Sequence, residues 1–342
     1  MVGTRFYLFG MGSRTKLIYR RGELVEAGTG TVLRSWNVAE SDIQPSAYRV
    51  LLRTEDDHTV TIWEDESGVW VDDGDRREAF DATPLRLPRF ENHPRPALMR
   101  RLLHELLINV VNGEPVPNLF VYPKPWYRDA AMVALCFERT GHLDLILDWI
   151  LGLREPFDRN NAGHPEPDNL GQVLALISLV SDASHPLVGT ILRLIPEFRQ
   201  DNHITGLTDF SKHPVYQTKW LKYGLRRLGL ADPYEIPHVE DTYSTLFWMD
   251  YRNETVEGPR FGPVTRQNYP YLAWADAHFR NEPPPMSVDE TLYPLTWEAH
   301  ASQADYAKME VVSERFVPAR RCEPHAWHAA EMFLYYSDHP TS

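Results

Sequence analysis

Between Asp81 and Pro96 the chain carries prolines at 84, 88, 94 and 96, and this tract most constrains its folding, because no regular helix or central strand can run through it. The residue pattern changes across it. Before the tract, the runs Phe6–Phe9, Lys16–Tyr19, Thr31–Val38, Tyr48–Leu52, Thr59–Glu64 and Gly68–Val71 are parted by Gly, Asp and Ser. In Thr59–Glu64, Val60 and Ile62 alternate with Thr59, Thr61 and Trp63 as a half-buried strand requires, and D-E-S-G at 65–68 suits a hairpin turn. Residues 1–90 are expected to form a small antiparallel β domain.

After the tract the period is helical. Met99, Leu102, Leu103, Leu106, Leu107, Val110 and Val111 recur at three and four residues, Pro96 suits the first turn, and Asn112-Gly113 end the run. Further helices are expected at 124–139, 142–154, 168–181, 185–198, 215–228, 240–252, 269–280, 288–307 and 324–336. Such a series fits a closed ring of helical hairpins or an open helical solenoid. In a ring, the starts of successive inner helices converge on one cup. The expected fold class is mainly α, with residues 91–342 an α/α toroid holding the catalytic site.

Lys and Arg total 35 against 48 Asp and Glu, a net charge of −13, which argues against nucleic acid as a partner. Cys136 and Cys322 suggest no disulfide framework, and no CxxC pair occurs. The first residues hold too short an apolar run for a signal peptide, and Val173–Val180 is far below a membrane span, so a cytoplasmic protein without a membrane partner is expected. Neither a dinucleotide fingerprint, a Walker loop nor a G-x-S-x-G elbow is present, and no cofactor is expected.

Seven stretches join acidic, His or amide groups to aromatic faces near expected helix starts. They are W-Y-R-D at 126–129, E-P-D-N-L-G-Q at 166–172, Y-Q-T-K-W at 216–220, H-V-E-D-T-Y at 238–243, Y-P-Y-L-A-W-A-D at 269–276, L-T-W-E-A-H at 295–300 and E-P-H-A-W-H-A-A-E at 323–331. Repetition of this kind suits a polyhydroxylated ligand. Trp126, Trp274 and Trp297 would offer flat faces, and Arg128, Asp168, Asn169, Gln172, Lys219, His325 and His328 hydrogen-bonding groups. Taken singly, Asp168 and Asp241 also read as helix N-caps and the tryptophans as packing residues. Glycosidic cleavage requires one protonated and one ionised carboxyl flanking the bond. Asp241 or Glu298, in aromatic settings that raise a carboxyl pKa, suits the acid, whereas Asp129 beside Arg128 is expected to stay ionised. His325, His328 and Glu331 lack the H-E-x-x-H spacing, so no metal is expected.

W-Y-R-D-A-A at 126–131 resembles a segment of glucoamylase-like and related glycosidases and phosphorylases of the six-hairpin, or (α/α)6 barrel, class. P-H-A-W-H-A-A-E-M-F-L-Y at 324–335 is similar to that class's last inner helix. The resemblance implies a barrel over 95–340 in which Arg128 and Asp129 grip the non-reducing sugar. T-W-E-A at 296–299 offers one glutamate where that class has a pair. Similar helical rings serve sugar epimerases, unsaturated-uronide hydrolases and polysaccharide lyases, for which His325, His328, Tyr127 or the surroundings of Tyr216 would supply the proton-transfer pair. The expected function is hydrolysis of a small glycoside or oligosaccharide. An epimerase, isomerase or lyase, and a non-catalytic carbohydrate-binding or assembly protein, are the alternatives.

Overall fold

A computed structural model of the chain describes residues 5–160, 163–239, 241, 293–299, 304–338 and 340. Its N-terminal part is two antiparallel meanders. Strands β1 (Phe6–Phe9), β2 (Leu17–Arg20), β3 (Glu23–Glu26) and β4 (Val32–Ser35) make the first sheet. Strands β5 (Val38–Gln44), β6 (Arg49–Thr54), β7 (Thr59–Asp65), β8 (Gly68–Asp72) and β9 (Arg77–Asp81) make the second. The alternation in Thr59–Glu64 sets the register: Ile62 lies opposite Val50 and Val71, and Val60 opposite Leu52. The D-E-S-G turn joins β7 to β8, with Asp65 accepting from the Ser67 amide at 2.8 Å.

The two faces of the first sheet serve different cores. Tyr7, Phe9, Leu17, Tyr19 and Leu24 pack on Val50, Leu52, Val60, Ile62, Val69 and Val71 of the second sheet. Phe6, Leu8, Ile18 and Val25 belong instead to the core of the helices. The period-two alternation of F-Y-L-F thus divides one strand between two layers. A buried pair, Arg14 and Glu64 at 2.9 Å, stitches the sheets, with Glu64 also accepting from the Gly10 and Met11 amides.

The helices are α1 (Pro96–Ile108), α2 (Tyr127–Thr140), α3 (Leu147–Leu151), α4 (Asp168–Ser178), α5 (Pro186–Phe198), α6 (Pro214–Arg227), α7 (Phe316–Ala319) and α8 (Ala326–Asp338). In the helix layer α8 packs on both α1 and α2, α4 lies beside α2, and α6 lies closely along α4. Gly171 and Gly224 permit the last approach: a Cβ on Gly171 would collide with the Trp220 carbonyl carbon and the Leu221 amide.

The mainly-α expectation and the resemblance to the six-hairpin class do not hold. Of the described residues 36% are helical and 23% lie in strands, and a ring of six helical hairpins is not present among them. Part of the reason lies in the connections. Linkers carrying Pro, Gly and Asn fold into pairs of two-residue strands, β10 (Val110–Val111) with β11 (Glu114–Pro115), β12 (Arg199–Gln200) with β13 (His203–Ile204), and β14 (Leu207–Thr208) with β15 (Ser211–Lys212). The helix expected at 142–154 is a 3-10 turn, Leu143–Ile146, followed by the short α3; Ile146 and Ile150 are buried, whereas Leu147 and Leu151 are 36% and 42% exposed. Of the one expected at 288–307, residues 288–292 and 300–303 lie outside the described residues, and the rest holds no α-helix but strand β16 (Glu298–Ala299), paired with β17 (Arg321–Cys322). Apart from Asp241, the helices expected at 240–252 and 269–280 lie outside the described residues. Among those residues no helix is long and apolar enough to cross a membrane.

Candidate functional site

The starts of α2, α4, α6 and α8 converge. Arg128 and Asp129, on the first turn of α2, are the link: Arg128 acts electrostatically on Asp168 at the start of α4, and Asp129 on His325 just before α8. Gln172 of α4 donates to Asp168 at 2.8 Å and lies 3.3 Å from the Tyr216 hydroxyl on the first turn of α6. Such an arrangement brings the positive ends of four helix dipoles toward one region, which favours carboxylates there.

Asp129 is 1% exposed, and its Oδ1 has no hydrogen-bond partner. Burial lifts its carboxyl to about 6 against the pull of His325 and Arg128, so the expected permanently ionised Asp129 is not what its surroundings favour. Arg128 turns from its neighbour to Asp209, its two terminal nitrogens each 3.2 Å from a carboxylate oxygen, and its guanidinium lies 5.2 Å from the centre of the Trp327 ring. His325, 2% exposed, holds Glu298 at 3.0 Å through Nε2, while its Nδ1 has no partner. Burial opposes charge on this imidazole, but Glu298 and Asp129 outweigh it and hold the pKa above the ordinary value. His328 stacks on His325 at 4.4 Å and bonds the Trp297 carbonyl at 3.2 Å; burial and the charge of His325 push it well below the ordinary histidine value.

Around this floor, Trp126, Trp297 and Trp327 are half-buried. Tyr122 packs on Trp126 at 4.7 Å, and burial followed by the Glu298 charge raises its pKa. On the α4 side Asp168 accepts from Thr208 at 2.5 Å, and Glu166 accepts from the Asp209 amide at 2.7 Å. Burial raises both carboxyls, Glu166 to about 7. Asn169 donates to Gln172 at 3.0 Å and accepts from the Asp158 amide at 3.3 Å, so this amide pair buttresses the α4 start.

The other sequence candidates sit elsewhere. Asp241 accepts from the Val215 and Tyr216 amides, each at 3.1 Å, and so caps α6; it caps a helix that precedes it, not one of its own. Lys219 is buried on α6. Trp274 lies outside the described residues. Asp158, which accepts from the Tyr127 amide at 2.5 Å, and Glu166, Asp209, Tyr122 and Glu105 carry no periodic signal as site residues. Of these, only Glu166 falls in one of the polar-aromatic stretches.

Among the described residues no group of three or more His, Cys, Asp or Glu is arranged to hold a metal ion. No protein-family model, curated protein or solved structure matches the chain. A carboxyl near neutrality, a second carboxyl ion-paired to a buried imidazole, and half-buried indoles suit proton transfer to a polar substrate.

Proposed function

We propose that the chain is a glycoside hydrolase acting on a small glycoside or oligosaccharide. In this reading Asp129 protonates the departing oxygen, and Glu298, held by His325, is the carboxylate that attacks or activates water. Trp126, Trp297 and Trp327 offer sugar faces, while Arg128, Asp168 and Asp209 take hydroxyls. The observation that carries the reading is the unpartnered Oδ1 of Asp129, buried beside a His325–Glu298 pair and raised to about 6, where a general acid works near neutral pH. Asp241 is not retained as the acid, since its oxygens serve α6.

A second reading, sugar isomerisation or elimination, is favoured by the free Nδ1 of His325, an imidazole whose other nitrogen is anchored by a carboxylate as a general base requires. Incubating the full chain with a panel of aryl glycosides and oligosaccharides distinguishes the readings. Release of the aglycone or a reducing sugar, abolished in Asp129→Asn and Glu298→Gln, is the expected outcome. Solvent deuterium entering an intact sugar, or an unsaturated product, would transfer the site to the second reading. Binding without any conversion would make the chain a carbohydrate-binding protein.

A further inference from the structure

A concavity of about 390 Å³ is lined by the N-terminal sheets and the segment before α7, and it shares no residue with the site described above. Its volume falls within the roughly 300–1,000 Å³ of small-ligand sites. Three arginines from separate stretches line it: Arg5 ahead of β1, Arg21 between β2 and β3, and Arg315 just before α7. All three are exposed, and among the described residues none has a carboxylate within ion-pair distance. Glu40, the one acidic residue in the wall, is held by Arg53 at 3.1 Å. Such a cluster runs against the composition, since Asp and Glu outnumber Lys and Arg by 48 to 35. Arg21 is also fixed at its base. Arg21 and Gly22, at φ +46° and +81°, are the central pair of a two-residue hairpin turn whose first position suits Asn, Asp or Gly, so an arginine there carries backbone strain. The adjoining cavity, which Arg21 also borders, has mixed charge: Arg20 lies 3.6 Å from Glu23, Lys308 lies 3.8 Å from Asp305, and Glu310 and Glu314 line it too.

We infer that the concavity lined by Arg5, Arg21 and Arg315 binds the phosphate group of a small phosphorylated molecule. A guanidinium is a planar fork that bonds phosphate oxygens in pairs, and three of them match the two charges and three acceptor oxygens of a phosphate monoester. A carboxylate brings one charge and two oxygens, enough for one fork, and leaves the other two without an anion. Tyr19 and Ser41, each with a hydroxyl, also line the wall. The inference is independent of the hydrolase reading, because the two sites have no residue in common.

The test is calorimetric titration of the full chain with inorganic phosphate, glycerol phosphate and acetate in dilute buffer at pH 8, where a phosphate monoester carries about two negative charges. Saturable binding of both phosphates is expected, roughly tenfold or more tighter than that of acetate and weakening as chloride is raised. Arg21→Gln and Arg315→Gln should each weaken phosphate binding about tenfold, the loss of one charge-assisted contact. Both side chains are exposed, so the fold should be kept, which circular dichroism checks. Arg34→Gln is the control: Arg34 is a surface arginine paired with Glu78, outside the concavity, and its loss should change the affinity by less than about twofold. No saturable phosphate binding, acetate binding as tight as phosphate, or unchanged affinity in both Arg21→Gln and Arg315→Gln overturns the inference. An equal loss in Arg34→Gln overturns it too, since the attraction would then belong to surface charge at large. Phosphate binding with no turnover of any glycoside leaves the inference standing while removing the hydrolase reading, and turnover without phosphate binding does the reverse.

Discussion

Asp129 combines two demands that conflict: a carboxyl kept dry enough to hold its proton, and a position beside Arg128 that draws the proton off. Burial wins, and the group titrates near 6 where the ordinary value is 3.8. As an acid in catalysis it must be protonated, so turnover is expected to fall as pH rises through about 6, and a pH–rate profile of kcat whose basic limb is absent would remove Asp129 from that role. Asp129→Asn should lower kcat by about 10²- to 10⁴-fold. The same carboxyl has a predictable effect on stability. Because its pKa is raised on folding, its contribution is intact below 3.8 and is lost as pH rises through 6, a difference of roughly 3 kcal/mol. Thermal melts should therefore show Asp129→Asn gaining stability relative to the wild type between pH 4 and pH 7; a constant difference across that window would mean that the carboxyl is not desolvated as described.

Among the elements, the tightest constraint is the α4–α6 contact, since it fixes Asp168 and Gln172 against Tyr216. A Cβ at Gly224 would lie 2.6 Å from the Gly171 carbonyl oxygen and 2.7 Å from Leu174 Cβ, both on the body of α4. Alanine is the better helix former by about 1 kcal/mol, yet overpacking costs about 1–3 kcal/mol or more, so Gly224→Ala is expected to lower the urea midpoint. An unchanged or higher midpoint would mean that the helices part at little cost. A second constraint joins α1 to the site: Glu105, fully buried, accepts from the Leu295 amide at 2.5 Å and from the Thr296 hydroxyl, whose oxygen in turn accepts from the His325 amide at 3.3 Å. The segments that carry Glu298 and His325 are thus placed by a carboxyl 190 residues or more away in the chain. Burial raises Glu105 from 4.5 to about 8, so its stabilising contribution is fully present below 4.5 and lost through 8; Glu105→Gln should gain on the wild type in melts from pH 5 to pH 9. Much of the helical part was legible: α1, α2, α4, α5, α6 and α8 lie where apolar residues recur at three and four, because their stripes are truly buried. The W-Y-R-D step likewise pointed to Arg128 and Asp129. What stayed hidden depends on contacts between distant segments. Glu105 stands within the apolar run of α1 and looks like an interruption until Thr296 is brought to it, and Asp158 and Asp209 lie in loops with no period to mark them.

At the scale of the whole molecule, the proline tract at 84–96 separates two sequence patterns, but the core of the helices reaches across it into the first sheet. Phe6, 1% exposed, packs edge-on against Phe316 at 5.9 Å, and the Gly12 amide donates to the Leu107 carbonyl of α1 at 2.9 Å. His104 of α1 bonds the Leu8 carbonyl at 2.8 Å, and burial depresses its pKa to about 3, keeping the ring neutral against the sheet. The first sheet is therefore the middle layer, and the chain is expected to unfold as one unit although its sequence suggests a boundary near residue 90. Phe6→Ala removes a side chain on the helix side only and should cost about 3–5 kcal/mol. If the layers are coupled, native-state hydrogen exchange will show the slowest amides of β6 and β7 losing the same protection as those of α2 and α4, although the substitution touches neither sheet-to-sheet packing nor those helices directly. Loss confined to the helices, with β6 and β7 unchanged, would show that the second core holds by itself and that the proline tract divides two independently stable domains. Coupled loss would mean that the floor of the site, built on α2, α4 and α8, draws part of its rigidity from strands that contribute no residue to it.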